Sequence, residues 1–307
     1  KETGNDKREI LFLYTDKDHQ QDTQVHVMNE TGVQLRMITS GERDYFKAVW
    51  SKTKKYLALL SGRGSTPVSQ YKPSNYMIQL ADENRGIFDS IPILTRGERI
   101  FHWGVDDDMF FYTVGNGGAN PVIEWYQVEK ERWFDYRKGK LFYYLSGNDT
   151  IKPNVYAASL SKEVLFVFAA DSLSAFYEMN YEGEILSEIS SSGVPSYILK
   201  ACYFADNSKI AFTYYSRDDR KIKNTIYVYD LKCRFWSEIS VPFPNGFDLS
   251  GFALDSKGEI LIVSLVKREN ERTFPEESMI LKVDMFSFEY EEIFKRDSCY
   301  LSVQEFR

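Results

Sequence analysis

Ile38-Thr39-Ser40-Gly41-Glu42-Arg43 returns fifty-six residues later as Leu94-Thr95-Arg96-Gly97-Glu98-Arg99, and each copy runs on into aromatic residues and a tryptophan, Trp50 and Trp103. A second echo pairs Ser187-Glu188-Ile189-Ser190 with Ser237-Glu238-Ile239-Ser240. Internal similarity at a spacing near fifty residues is the mark of a repeat array, in which each copy is one unit that buries its apolar face against its neighbours.

Outward from these copies, one pattern covers the chain: a strand, a polar turn and a second strand. The turns centre on Asn29, Ala81, Glu129, Asn180, Asp230 and Asp284, at steps of 48 to 54 residues. Between them lies a second hairpin, in which an aromatic or aliphatic strand passes through a charged turn into a strongly apolar strand. Its five copies run from Trp50 to Tyr56, Trp103 to Met109, Ala158 to Val164, Phe204 to Ile210 and Leu254 to Ile260. The sixth is divided between the termini. Tyr300-Leu301-Ser302-Val303 reads as a first strand with nothing after it, and Ile10-Leu11-Phe12-Leu13-Tyr14 as a second strand with nothing before it. Joined, they complete another four-stranded unit and leave no open sheet edge. The expected fold is therefore all-β: a six-bladed β-propeller of four-stranded antiparallel blades, its ring closed by pairing the N- and C-terminal strands. The alternatives are a seventh blade over residues 140–145, or a sandwich. Residues 1–8 are expected to be a flexible leader and residues 9–307 a single propeller domain.

Val27-Met28-Asn29-Glu30-Thr31-Gly32, Ile38-Thr39 and the run from Trp50-Ser51 to Tyr56-Leu57-Ala58 resemble TolB-like and WD40-like propeller repeats, whose pattern is an extended strand, a glycine turn, an Ile-Thr strand and Trp-Ser-x-x-x-Lys-x-Leu-Ala. Later copies depart from it: the tryptophan becomes Ala158, Phe204 and Leu254, and the turn is altered at Ser51 to Lys54 and at Asp255 to Gly258. The resemblance implies a fold and leaves the activity open, because such blades serve many functions.

Composition agrees with strands. Aromatics reach 16% of the 307 residues, and they suit a pleated, half-buried surface. A net charge of −7 with pI near 5.3 lacks the positive field that neutralises phosphates, so nucleic acid is not an expected partner. The three cysteines, Cys202, Cys233 and Cys299, are widely spaced with no Cys-x-x-Cys pair, which argues against a disulfide framework or a zinc knuckle. No apolar run approaches the roughly 18 residues that span a bilayer. The chain starts at Lys1 with a polar stretch, as would remain after removal of a signal peptide or lipoprotein anchor, or after trimming of the chain for expression. An exported, periplasmic or surface-anchored lipoprotein is expected, with a cytoplasmic protein as the alternative.

With strands a to d numbered outward from a central channel, the a-to-b and c-to-d connections are tight turns, and the b-to-c and d-to-a connections are long. The long ones are 15–23, 62–74, 115–120, 216–224 and 267–278, with an insertion at 137–153. Long loops on a rigid ring are where binding residues concentrate. Arg43 and Arg99 of the duplicated segment, His102 on an a strand, Asn116 in Gly115-Asn116-Gly117-Gly118 and Arg217 of a mixed-charge loop are the candidate ligand-binding residues. Arg43 and Arg99 could hold an anionic group or pair with Glu42 and Glu98. Asp106-Asp107-Asp108 lacks the spaced ligands and glycine of a calcium loop and reads as a turn. The glycine-rich segment opens no helix and has no following Lys-Ser, so it is not a phosphate cradle. His19, His26 and His102 are far apart in the repeat, and no Gly-x-Ser-x-Gly elbow is present.

These residues point to a monomeric, non-catalytic binding scaffold that presents its long-loop face to a protein or glycan, with no metal and no cofactor. The alternative is a carbohydrate-active lyase or lactone hydrolase using His102 and channel-mouth carboxylates.

Overall fold

The computed structural model describes residues 8–19, 22–41, 43–63, 74–82, 86–93, 101–105, 107, 109–114, 122–127, 132–135, 154–159, 161–169, 175–180, 184–189, 198–204, 206–216, 221–222, 225–240, 244–255, 257–270 and 273–307. Alternating apolar positions, β-branched and aromatic residues and punctual turn residues yield strands almost throughout. The first sheet draws on both chain ends: β1 (Glu9–Asp16), β2 (Gln24–Asn29) and β3 (Arg36–Met37) stand beside the final strand, Cys299–Phe306, which is β25. The next three sheets follow chain order. They are β4 (Asp44–Trp50), β5 (Tyr56–Arg63), β6 (Ser74–Asp82) and β7 (Gly86–Ile93); β8 (Phe101–Trp103), β9 (Met109–Val114), β10 (Val122–Gln127) and β11 (Arg132–Asp135); and β12 (Asn154–Ala158), β13 (Val164–Ala169), β14 (Ala175–Asn180) and β15 (Ile185–Ile189). Then come β16 (Ile198–Tyr203), β17 (Lys209–Ser216), β18 (Lys221–Ile222), β19 (Thr225–Asp230) and β20 (Phe235–Ser240) in one sheet, and β21 (Phe247–Leu254), β22 (Ile260–Lys267), β23 (Glu277–Asp284) and β24 (Tyr290–Asp297) in another.

The architecture is an all-β propeller of small antiparallel sheets. Among the described residues, five sheets have four strands. The expectation of uniformly four-stranded blades is corrected by β18, which pairs with the end of β17, Tyr215↔Ile222 and Ser216↔Lys221. There the connection expected as a loop over 216–224 folds back on the strand that precedes it. β22 likewise runs to Lys267 and β23 starts at Glu277, so the last long connection is shorter than expected. The insertion over 137–153, the segment 140–145 and the loop 115–120 lie outside the described residues.

The terminal strands pair as antiparallel neighbours, with Phe12↔Val303, Leu13↔Ser302 and Tyr14↔Leu301. Arg8, expected as the end of a leader, is tied in: its carbonyl accepts from Glu30 N at 3.2 Å, and its guanidinium lies 3.7 Å from Asp255 and 3.8 Å from Glu30.

Turn chemistry explains the repeat anchors. Asn29, Asn180, Asp230 and Asp284 each turn a side-chain oxygen back onto amides two to four residues ahead, such as Lys232 N and Cys233 N onto Asp230 Oδ1 at 3.0 and 2.8 Å. Asn and Asp suit this because their short side chains mimic a backbone turn. The other hairpin closes through a residue in the left-handed region, where Lys54 (φ 64°), Asn207 (φ 54°) and Gly258 (φ 70°) occupy equivalent positions. Glycine takes that conformation freely, and Lys54 and Asn207 take it at some cost.

Contacts divide the chain into two compact units: residues 1–48, 59–75 and 241–307, and residues 49–58 and 76–240. In the first unit, Ile10, Phe12, Met28, Ile262, Ile280, Leu301, Val303 and Phe306 form the core between the terminal sheet and the β21–β24 sheet. The two first strands, β21 and β25, meet through serines. Ser250 Oγ donates to Leu301 O at 2.7 Å, Ser302 Oγ to Ser250 O at 2.9 Å, and Val303 N to Ser264 Oγ at 2.8 Å. The approach requires Gly251, because a Cβ there would stand 2.5 Å from Val303 O. In the second unit the junction between the β12–β15 and β16–β20 sheets is aromatic: Phe166, Phe176 and Phe212 stack in turn, and Trp236 packs edge-on to Phe212 at 5.2 Å. Each such fully buried ring stabilises the fold by about 1.5–3 kcal/mol.

Candidate binding face

The strand order puts two kinds of end on every sheet, and their side chains differ. At the tight turns, side chains reach from one sheet's turn to the next. Thr53, between β4 and β5, donates its N–H to Asp107 Oδ1 at 2.8 Å, and its hydroxyl donates to the other carboxylate oxygen. Asp107 lies in the turn between β8 and β9. Burial works against its charge, but the bonds from Thr53 and Ser51 outweigh burial and hold its carboxyl below the usual range. Asn207, between β16 and β17, bonds Ser159 and Ser161 in the turn between β12 and β13. Asp255, between β21 and β22, is 4% exposed; one oxygen accepts Glu259 N and Ile260 N at 2.7 and 3.0 Å, and the other faces Arg8. These are locks, and the Asp107 carboxylate is part of one.

The long connections are built otherwise. After the terminal sheet, the chain segment 38–44 returns to β4 and is pinned to the start of β2. Thr39 Oγ1 donates to Gln24 Oε1 at 2.8 Å and accepts from Val25 N at 2.9 Å. Gln24 Nε2 donates to Arg43 O at 3.2 Å, and Thr23 N donates to buried Asp44 at 3.1 Å. The Thr15 and Thr23 hydroxyls meet at 2.7 Å. Hydrogen bonds on both sides of Arg43 thus fix the backbone from which this half-buried side chain projects. Its charge acts on Tyr45, the second residue of β4, whose phenol is pushed up by burial and drawn back by Arg43.

The same pairing recurs in the terminal sheet. Tyr300 is the second residue of β25, and the guanidinium of Arg268, just past β22, lies 5.9 Å from its ring centroid. Burial raises the Tyr300 phenol, and Ser302 and Arg268 oppose the rise. At the long-connection ends of two first strands, then, an arginine stands two residues before Tyr45 and another lies against the ring of Tyr300. Arg43 is among the residues expected from sequence, whereas Arg268, Tyr45 and Tyr300 are not; their shared sequence signal is a tyrosine at the second position of both first strands.

The remaining expected site residues do not join this set. His102 is half-buried on β8 opposite Phe111, next to Trp103, whose Nε1 donates to Val49 O at 3.0 Å. Arg99, Asn116 and Arg217 lie outside the described residues. His26 sits against the rings of Phe12 and Tyr14, and burial lowers its pKa to about 4. His19 is exposed in the 3₁₀ turn Lys17–His19. At the end of β1, Tyr14 donates to Asp16 at 3.2 Å, and burial raises the Tyr14 phenol and the Cys299 thiol each to about 12. Such groups stay neutral near pH 7 and make poor nucleophiles. Among the described residues, no three His, Cys, Asp or Glu side chains group to hold a metal, and no helix is long and apolar enough to cross a membrane. What the long-connection end offers is the half-buried guanidinium groups of Arg43 and Arg268, suited to anionic partners, with Tyr45 buried behind Arg43 at 3% exposure.

Comparison with known proteins supports the fold. TolB from Acinetobacter baumannii superposes with a TM-score of 0.66 at 12% identity, covering 97% of this chain and 67% of that one. A protein from Agrobacterium tumefaciens assigned as TolB gives 0.58 at 11% identity, covering 98% and 99%. The β-propeller domain of the Trilobed protease from Pyrococcus furiosus, described as having an open velcro topology, gives 0.53 at 11% identity over 93% and 78%. No family model and no curated protein matches the sequence. The chain has a TolB-like β-propeller fold.

Proposed function

We propose that this protein is a non-catalytic binding scaffold of the cell envelope, whose long-connection end receives a protein or glycan partner. The observation that carries this reading is the two arginines at long-connection ends, Arg43 on a segment held by backbone-directed hydrogen bonds and Arg268 against the ring of Tyr300. Arg99, His102, Asn116 and Arg217 are proposed as further ligand-binding residues. The acidic net charge of −7 supports a partner other than nucleic acid.

The proposal includes one closed ring of six blades spanning residues 9–307, monomeric and exported, with or without a lipid anchor upstream. The β25–β1 pairing and the contact of the first strands β21 with β25 and β12 with β16 support the ring. A compact monomer of 307 residues has a radius of gyration of about 19 Å, so small-angle scattering near that value agrees with a single ring and a clearly larger value does not.

The test of function is expression of the natural gene with its own upstream sequence, followed by cell fractionation and chemical cross-linking. The reading expects the protein in the envelope fraction, in a discrete complex that the Arg43→Glu/Arg268→Glu double variant loses. A freely cytoplasmic protein, or β-eliminative or lactone-cleaving turnover abolished by His102→Ala, would overturn it.

A further inference from the structure

At the tight-turn rim of the aromatic junction in the second unit, the β12–β15 and β16–β20 sheets part to leave an open cleft of about 360 Å³. That volume lies at the lower end of the usual range for ligand pockets, about 300–1,000 Å³. One side carries Lys162 and Val164 with exposed Leu186; the other carries Leu231 and Lys232 from the turn between β19 and β20. Leu231 packs against the aromatic core behind the cleft. Glu178, on the wall, is held in place: its two carboxylate oxygens accept from Tyr203 at 3.3 Å and Ser187 at 3.0 Å. Lys162 and Lys232 form no ion pair among the described residues.

The outer strand beside the cleft has a further property. Edge strands invite pairing with another chain, and charged residues normally protect them. β24, the outer strand of its own sheet, carries Glu291, Glu292, Lys295, Arg296 and Asp297. β15, by contrast, reads Ile-Leu-Ser-Glu-Ile, with Ile185 38% and Leu186 53% exposed and Glu188 as its single charge. Two cations that form no ion pair among the described residues, flanking aliphatic side chains next to a strand with a single charge, on a chain of net charge −7, select a complementary ligand.

We propose that this cleft is a second binding site, for an extended acidic segment of a partner protein: carboxylates lie against Lys162 and Lys232, and an aliphatic side chain between them rests on Leu186 and Leu231. It is separate from the long-connection end and does not depend on a partner there. The probe is a fluorescein-labelled Glu-Leu-Asp-Leu-Glu peptide read by fluorescence anisotropy at low salt against the purified full chain. Binding should weaken at least tenfold in Lys162→Glu/Lys232→Glu, and that variant should gain affinity for a Lys-Leu-Lys-Leu-Lys peptide. Lys52→Glu/Lys257→Glu, which changes net charge equally at other turns, should bind the acidic peptide within about twofold of wild type. All four lysines are on exposed turns, so circular dichroism will report folded variants. No binding to wild type, equal loss in both double variants, or no loss in Lys162→Glu/Lys232→Glu would each overturn the proposal.

Discussion

The tight turns and the long connections of these sheets contrast in how they use polar side chains. At the tight turns, Asp107 and Asn207 spend hydrogen bonds on neighbouring turns, and Asp255 accepts from the amides of its own turn while its second oxygen pairs with Arg8, so each is a lock between parts of the fold. At the long connections, Thr39 and Gln24 brace the backbone that carries Arg43, two residues before Tyr45, and Arg268 lies beside the ring of Tyr300. The difference teaches where stability and recognition reside: removing a lock should cost folding free energy, whereas reversing a framed arginine should cost binding and little stability.

The largest effect is expected at Asp255. Asp255→Ala strips the acceptor from two turn amides and leaves Arg8 without its buried partner, and should lower unfolding free energy by about 3 kcal/mol in urea denaturation with an unchanged slope. Asn207→Ala should cost about 2 kcal/mol, since two serine hydroxyls in the adjoining turn lose their partner. Asp107→Ala, at a more exposed turn, should cost about 1 kcal/mol.

Acid titration separates locks from core. His26 has a native pKa of about 4 against an ordinary value of 6.5, so between those values the unfolded chain binds a proton that the native chain does not. Stability therefore falls as pH drops from 6.5 toward 4, and His26→Phe should flatten that stretch. The Asp107 carboxyl is held below its usual range, so its contribution persists through that window and is lost only as pH falls further; Asp107→Ala should flatten only this lower part. Smallest of all, Arg43→Glu and Arg268→Glu should each shift unfolding free energy by less than about 1 kcal/mol. A loss as large as that of Asp255→Ala would erase the contrast between the two ends.

Much of the fold was legible because its signals are local. The turn anchors Asn29, Asn180, Asp230 and Asp284 declare themselves by residue type, and strand alternation does the same. The terminal segments, Ile10 to Tyr14 and Tyr300 to Val303, were recognisable as complementary halves of one hairpin. The locks were not legible. Asp107 read as a turn residue, and nothing near it in sequence says that its carboxylate meets Thr53, which the fold brings there from the preceding hairpin. Arg268 escaped notice for the same reason, since Tyr300 reaches it only when β25 is laid beside β21 and β22. β18 was hidden because two residues of pairing leave no alternation to detect.

The claim that recognition belongs to the long-connection end is tested most directly by a photo-cross-linker scan in cells of the source organism. Benzoylphenylalanine would be placed singly at Lys17 and Asn270 near the long connections, and at Lys52 and Lys257 in tight turns, all exposed positions. The account predicts one discrete adduct shared by Lys17 and Asn270 and absent from Lys52 and Lys257. An adduct formed only at Lys52 and Lys257, or equally from all four, would contradict it.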